Sequence, residues 1–124
     1  MQTVCELHSF RKAAIASGMS EEDIVDLVNT LSENPNAGDE IQGTGGCRKL
    51  RFSIRGNNKG KSGGVRAITF FSGERLPVFL ITVFNKSQKV NLSRAERNGL
   101  RALTEQIVRT YMARIATFAP GEKR

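Results

Sequence analysis

Seven lysines and arginines fall between Ile41 and Phe71, at Arg48, Lys49, Arg51, Arg55, Lys59, Lys61 and Arg66, and no Asp or Glu interrupts the chain between Glu40 and Glu74. Such groups can grip a polyanion: arginine offers a planar fork of donors to phosphate, and lysine a compact ammonium. Solvated faces carry similar runs, so spacing has to decide. Lys49 and Arg51 are two residues apart and share one face of a strand. Arg66 lies just past the glycines that follow the basic loop, and Lys86 closes a later apolar run. Strand ends can gather these four into one concave site.

The other chemistry-bearing residues add little. His8 is the single histidine, and it reads as structural. Cys5 and Cys47 form no CxxC and have no histidine cluster near them, so they read as small buried residues rather than a disulfide or metal site. No serine triad or carboxylate pair is apparent. Gly43-Thr44-Gly45-Gly46 has the composition of a phosphate-cradling loop, but such loops follow a strand and open a helix, whereas these glycines precede a strand. A tight turn is the reading that fits. Any chemistry here has to run on the cations.

The elements that must position them follow from patterning. At 124 residues the chain fits one domain, taken as 1–119 with a frayed tail at 120–124. Thr3–Leu7 reads as a short strand and Phe10–Ser17 as helical. Ser20 opens a clearer helix: Glu21, Glu22 and Asp23 fill the first turn, Ser20 and Asp23 have capping-box spacing, and Ile24, Leu27, Val28 and Leu31 form one stripe. Asn34-Pro35 stops it. Leu50, Phe52 and Ile54 alternate with Lys49, Arg51, Ser53 and Arg55, which predicts a half-buried strand. Val65–Phe71 is a second strand and Val78–Phe84 an apolar, central one covered on both faces. Ser93 and Glu96 form a capping box for a last helix with Leu100, Leu103, Ile107, Tyr111 and Ile115 on one stripe. The fold class is α+β: a small, mainly antiparallel sheet with N-terminal helices and a C-terminal helix packed on it.

Charge is unevenly spread within a net of +7. Residues 1–40 hold eight acids against Arg11 and Lys12, a net of −6, and residues 41–124 hold four acids against seventeen bases, a net of +13. With no leader pattern and no apolar run near 20 residues, the expected setting is the cytoplasm, with no membrane span.

At these residues a family resemblance emerges. Gln42-Gly43-Thr44-Gly45-Gly46-x-Arg48-Lys49-x-Arg51, Gly63-Gly64-x-Arg66, and Phe84-Asn85-Lys86 leading to Leu92-Ser93 resemble the RelE/ParE toxin superfamily, its HigB-like RelE branch in particular. The likeness runs from about Ser20 to Ile115. It implies the toxin of a type II toxin–antitoxin system, a ribosome-dependent endoribonuclease that cuts messenger RNA in the A site and inhibits translation. It implies an antitoxin partner, contacts to messenger and ribosomal RNA, and no metal or other cofactor. The RNA's own 2′-hydroxyl is the nucleophile, leaving a cyclic phosphate and a 5′-hydroxyl. The fold implied is a compact sheet with helices on one side and the basic groove on the other.

By position, Lys49 and Arg51 match the family's basic strand pair, Arg66 the arginine of its next strand, and Lys86 the basic residue closing the one after. Their chemistry then suggests roles: Arg51 and Arg66, which stay protonated, suit the phosphate, Lys49 is taken as the general base and Lys86 as the general acid or a further clamp, with the choice of base between the two lysines open. Arg48, Arg55, Lys59 and Lys61 are assigned to messenger or ribosomal phosphates. One departure is clear: some relatives place a base-stacking tyrosine after that strand, and Lys86 to Leu92 has no aromatic. Phe84 either stacks or belongs to the core, and the core is the favoured reading. The competing functions are a ParE-like gyrase inhibitor, a non-catalytic RNA-binding module, and an inactive family member serving as repressor partner.

Overall fold

The computed structural model describes residues 1–54 and 64–118. Its elements are β1 (Val4–Glu6), α1 (His8–Ala16), α2 (Glu21–Glu33), β2 (Asp39–Glu40), β3 (Cys47–Phe52), β4 (Val65–Phe70), β5 (Val78–Asn85) and α3 (Arg94–Phe118). The strands form one sheet in the order β1-β5-β4-β3-β2. Only β1 runs parallel to its neighbour; the other pairings are antiparallel. The middle strand is therefore β4, and β5, expected there, lies one place over.

Alternation along the strands sorts their side chains into two cores. On one face Val65, Ala67, Val78, Leu80 and Val83 meet Phe10 and Ala14 of α1 and Ile24, Leu27 and Leu31 of α2. On the other, Cys47, Ile68, Phe70, Phe79, Ile81 and Phe84 meet Leu100 and Ile107 of α3. This differs from the implied arrangement, in which all helices share one side. α3 packs on the same face as Lys49, Arg51 and Arg66, because its stripe needs the apolar residues that alternate with α1's on β4 and β5.

Local signals set the helix ends. Ser20 Oγ accepts from the Asp23 amide at 3.1 Å while Asp23 Oδ2 accepts from the Ser20 amide at 2.9 Å, so both halves of the capping box are made. Ser93 and Glu96 do the same at α3, with the Glu96 amide donating to Ser93 Oγ at 3.1 Å and the Ser93 amide to Glu96 Oε1 at 2.8 Å. The side chain of Ile115, last in the expected stripe, lies outside the described ones, as does the expected tail from Pro120.

The Gly43–Gly46 segment is indeed a turn, and its role is to seat α3. Thr44 is fully buried; its hydroxyl donates to the Ile41 carbonyl at 2.7 Å and accepts from the Cys47 amide at 3.0 Å. The Thr104 hydroxyl of α3 shares its proton between the Thr44 carbonyl at 3.1 Å and the Arg101 carbonyl of its own helix at 2.9 Å. Tyr111 packs edge-on to Phe79, ring centroids 5.1 Å apart. A bulge where the β4–β5 register slips between Ile68 and Thr69 frees the Ile81 carbonyl, which accepts from Ser9 Oγ of α1 at 2.7 Å.

Three substitutions test this packing by denaturant unfolding. Gly99 is exposed on α3 and a methyl there meets nothing within 4 Å, so Gly99→Ala should stabilise by about 1 kcal/mol. At Gly45, with φ +77°, a Cβ would stand 2.6 Å from Thr104 Oγ1, so Gly45→Ala should cost at least about 1–2 kcal/mol. Thr69 is fully buried beside the bulge and its hydroxyl has no partner among the described residues. Thr69→Val should raise stability by about 1 kcal/mol, with the midpoint moving and the slope of the transition unchanged.

Candidate functional site

The β3–β4 pairing sets Arg51 directly opposite Arg66, and the β4–β5 pairing sets Arg66 opposite Phe84. Lys49 lies two residues from Arg51 on the same face, about 7 Å along the strand, opposite Ile68. Ile68 and Phe84 are buried, so the cations stand on an apolar floor. Lys49 and Arg66 are half-buried and Arg51 is exposed. The ion pairs among the described residues involve none of the three.

That arrangement is electrostatically unfavourable for the empty protein. Like charges directly opposite on neighbouring strands destabilise a sheet, and the apolar floor screens them less than water does. An anion lying between the two guanidinium groups removes the repulsion and accepts bidentate bonds from both. β2 adds Asp39 opposite Lys49, an acid that the sequence reading did not place here because a two-residue strand leaves no periodic signal. Gly38, φ +96°, lets β2 lie this close: a Cβ there would stand 2.7 Å from the Lys49 carbonyl oxygen.

Lys86 is exposed in the turn that follows β5. Asn85 shapes that turn: its Oδ1 accepts from Ser87 Oγ at 2.7 Å and from the Gln88 amide at 3.1 Å, and its own amide donates to Gln88 Oε1 at 2.8 Å. Asn85 Nδ2 also donates to the Ser17 carbonyl at 3.3 Å, fastening the turn to the end of α1. Because Val65 pairs with Asn85, β4 starts where β5 ends. Arg66 and Lys86 are thus at one end of the sheet, with Arg51 beside them near the end of β3.

The remaining expected contacts divide. Arg48 is on the other face, where Nη1 donates to the Gly38 carbonyl at 3.0 Å; it is not brought together with Lys49, Arg51 and Arg66. The alternation that pairs Lys49 with Arg51 already separates Arg48 from them. Arg55, Lys59 and Lys61 lie outside the described residues. Phe84 is 3% exposed and its ring is covered by Lys89, so it is core, as favoured from sequence. Lys89 is the cation the sequence reading passed over. Its ammonium is 5.5 Å from the Phe84 ring centroid and pairs with Glu96, whose carboxyl that ammonium holds below the usual range.

Cys47 is fully buried, and burial pushes its thiol up to about 11, against a smaller opposing effect of Thr44. It is a packing residue, and Cys5 is likewise a free, half-buried thiol. His8 is exposed at the start of α1, away from the paired arginines in the sheet. Among the described residues no three His, Cys, Asp or Glu side chains come together as a metal cage requires, and no helix is long and apolar enough to cross a membrane.

Comparison with known protein families agrees with the geometry. The family described as the RelE toxin of the RelE/RelB toxin–antitoxin system matches residues 3–121, nearly the whole chain. Toxins of this family pair with an antitoxin. The described residues form three helices and a five-stranded, mostly antiparallel sheet, an α+β fold consistent with that family. The chain belongs to the RelE toxin family.

Proposed function

We propose that this protein is a metal-independent messenger RNA endoribonuclease that acts on the ribosome and inhibits translation, of the HigB-like kind suggested by its motifs. The observation that carries the reading is the Arg51–Arg66 pair, directly opposed and without an acid partner among the described residues. It is shaped for a phosphate that gains charge.

Cleavage begins with loss of the 2′-hydroxyl proton and in-line attack of that oxygen on the neighbouring phosphorus. Arginine stays protonated, so Arg51 and Arg66 bind the non-bridging oxygens and stabilise the pentacoordinate state. Lys49, on the same face, takes the 2′ proton. Lys86 delivers a proton to the departing 5′-oxygen, which leaves as a hydroxyl while the other fragment keeps a 2′,3′-cyclic phosphate. No redox step or metal-bound water is needed. The flanking cations Arg55, Lys59 and Lys61 hold messenger or ribosomal phosphates in this reading, whereas Arg48, turned to Gly38, braces β2. An antitoxin silences the toxin by covering the cationic face with an acidic or amphipathic helix.

Primer extension after brief induction should show cuts within translated codons that vanish when translation is blocked. On purified ribosomes with bound message, Arg66→Ala should lower single-turnover cleavage about 10²–10³-fold, the usual worth of one transition-state donor. Lys49→Ala and Lys86→Ala should each lower it about 10²–10⁴-fold. Treating the toxin alone with chelator, removed before it is mixed with ribosomes, should leave the rate unchanged, and the products should carry cyclic phosphate and 5′-hydroxyl ends. Growth arrest with intact messages and DNA damage signalling would replace this reading with gyrase inhibition. Variants that weaken RNA binding where no cleavage occurs would indicate a plain binding module.

A further inference from the structure

Arg51, Arg66 and Phe84 form one row across β3, β4 and β5 on a single face of the sheet. The next group in that row is the Lys89 ammonium, 5.5 Å from the centroid of the Phe84 ring. Lys89 is tethered by Glu96 Oε2, and Glu96 is itself fixed, because its Oε1 accepts from the Ser93 amide at 2.8 Å. The lysine side chain is 34% exposed and the glutamate 41%, so both remain within reach of a ligand.

We infer that Lys89 is a third phosphate-binding cation of this face, held over Phe84 by Glu96 and transferred to a phosphate of the bound RNA strand when it docks on Arg51 and Arg66. The inference rests on the RNA-cleaving reading above. An ammonium has three donors, so it can turn from the carboxylate to a phosphate without leaving the ring. The pair with Glu96 is half-exposed, and such pairs are worth little, so a phosphate already bound to two arginines competes with it readily. Glu96 keeps the long lysine chain ordered in the empty protein, which lowers the entropy lost on binding.

A purely structural ion pair makes a different prediction, and two substitutions separate them. Lys89→Met keeps a flexible apolar chain over the Phe84 ring and loses the charge. Glu96→Gln keeps the capping box, which accepts Gln as well as Glu, and loses the opposing charge. The readout is binding of a single-stranded, fully 2′-O-methylated RNA, which cannot attack its own phosphate, over a range of salt concentrations. Lys89→Met should weaken binding and reduce the log–log salt slope by about 0.7, one phosphate contact. Glu96→Gln should tighten binding at low salt and leave that slope intact, and Lys89→Arg should restore the slope.

If Lys89→Met and Glu96→Gln lower the thermal midpoint alike and leave both affinity and slope at the wild-type values, Lys89 is a structural residue and the inference is overturned. Arg66→Ala serves as the reference. A smaller slope in Arg66→Ala with no change in Lys89→Met rejects Lys89 alone. An unchanged slope in both rejects the face itself as the RNA site.

Discussion

A buried hydroxyl, Thr104 Oγ1 on α3, shares its proton between the Thr44 carbonyl of the glycine turn and the Arg101 carbonyl of its own helix, and the layout of the candidate face depends on where the turn meets the helix. The turn brackets Thr104 closely enough that no side chain fits at Gly45, and Phe79 and Tyr111 fix the helix further along. α3 therefore covers the end of the sheet bearing Cys47, Phe70 and Phe79. At the opposite end Arg51 and Lys86 are exposed and Arg66 is half-buried, while the start of α3 covers Phe84 in the same row. A shift of α3 by one turn, about 5.4 Å, toward that end would drive its apolar stripe over two guanidinium groups, at a desolvation cost that no contact there offsets. One face of a small sheet thus carries both a core under α3 and the candidate cationic site beside it.

The same sheet holds charge apart. Five of the eight acids among residues 1–40 lie on α2, which packs on the face away from Arg51 and Arg66. Arg11 ties that layer together through Glu6 at 2.9 Å and Glu21 at 2.6 Å, and the Glu21 hydrogen bond, followed by the charges of both acids, raises its affinity for its proton. A chain with an acidic layer on one side and unpaired cations on the other is oriented by the field of a polyanion before contact. On the proposed reading this favours arrival basic face first.

Much of this was legible in the sequence, for physical reasons that also mark where legibility stopped. Both capping boxes, the α2 stripe, the alternation of β3 and the apolar run of β5 are local signals, and each marked a real element, though β3 starts at Cys47 and ends at Phe52 and β5 lies one place off the centre of the sheet. What the sequence could not convey was long-range. Nothing in Asp39-Glu40 announces a strand, since β2 exists through Gly38's approach to β3. The parallel β1–β5 pairing and the placement of α3 on the basic face depend on how layers stack. At the site, the shared face of Lys49 and Arg51 came from period two, but the direct opposition of Arg51 and Arg66 depends on a register that the loop between them conceals. Lys89 was missed because its partners, Phe84 and Glu96, sit five and seven residues away across a turn, where no periodicity connects them.

What the face lacks is as informative about mechanism as what it holds. Phe84, the aromatic opposite Arg66 in register, is buried beneath Lys89, and no aromatic lies between Lys86 and Leu92, so the row holding the arginine pair presents no exposed ring to a base. Cations fix phosphates but leave the sugar and base free to rotate, and in-line attack needs the 2′-oxygen held close to the axis of the leaving 5′-oxygen. Effective molarities of 10⁵–10⁸ M, about 7–11 kcal/mol, depend on that alignment. A protein that supplies phosphate binding and proton transfer but little base positioning gains most from a substrate already held by something else. On the proposed reading, message threaded through a ribosome would be held in that way before it reaches this face.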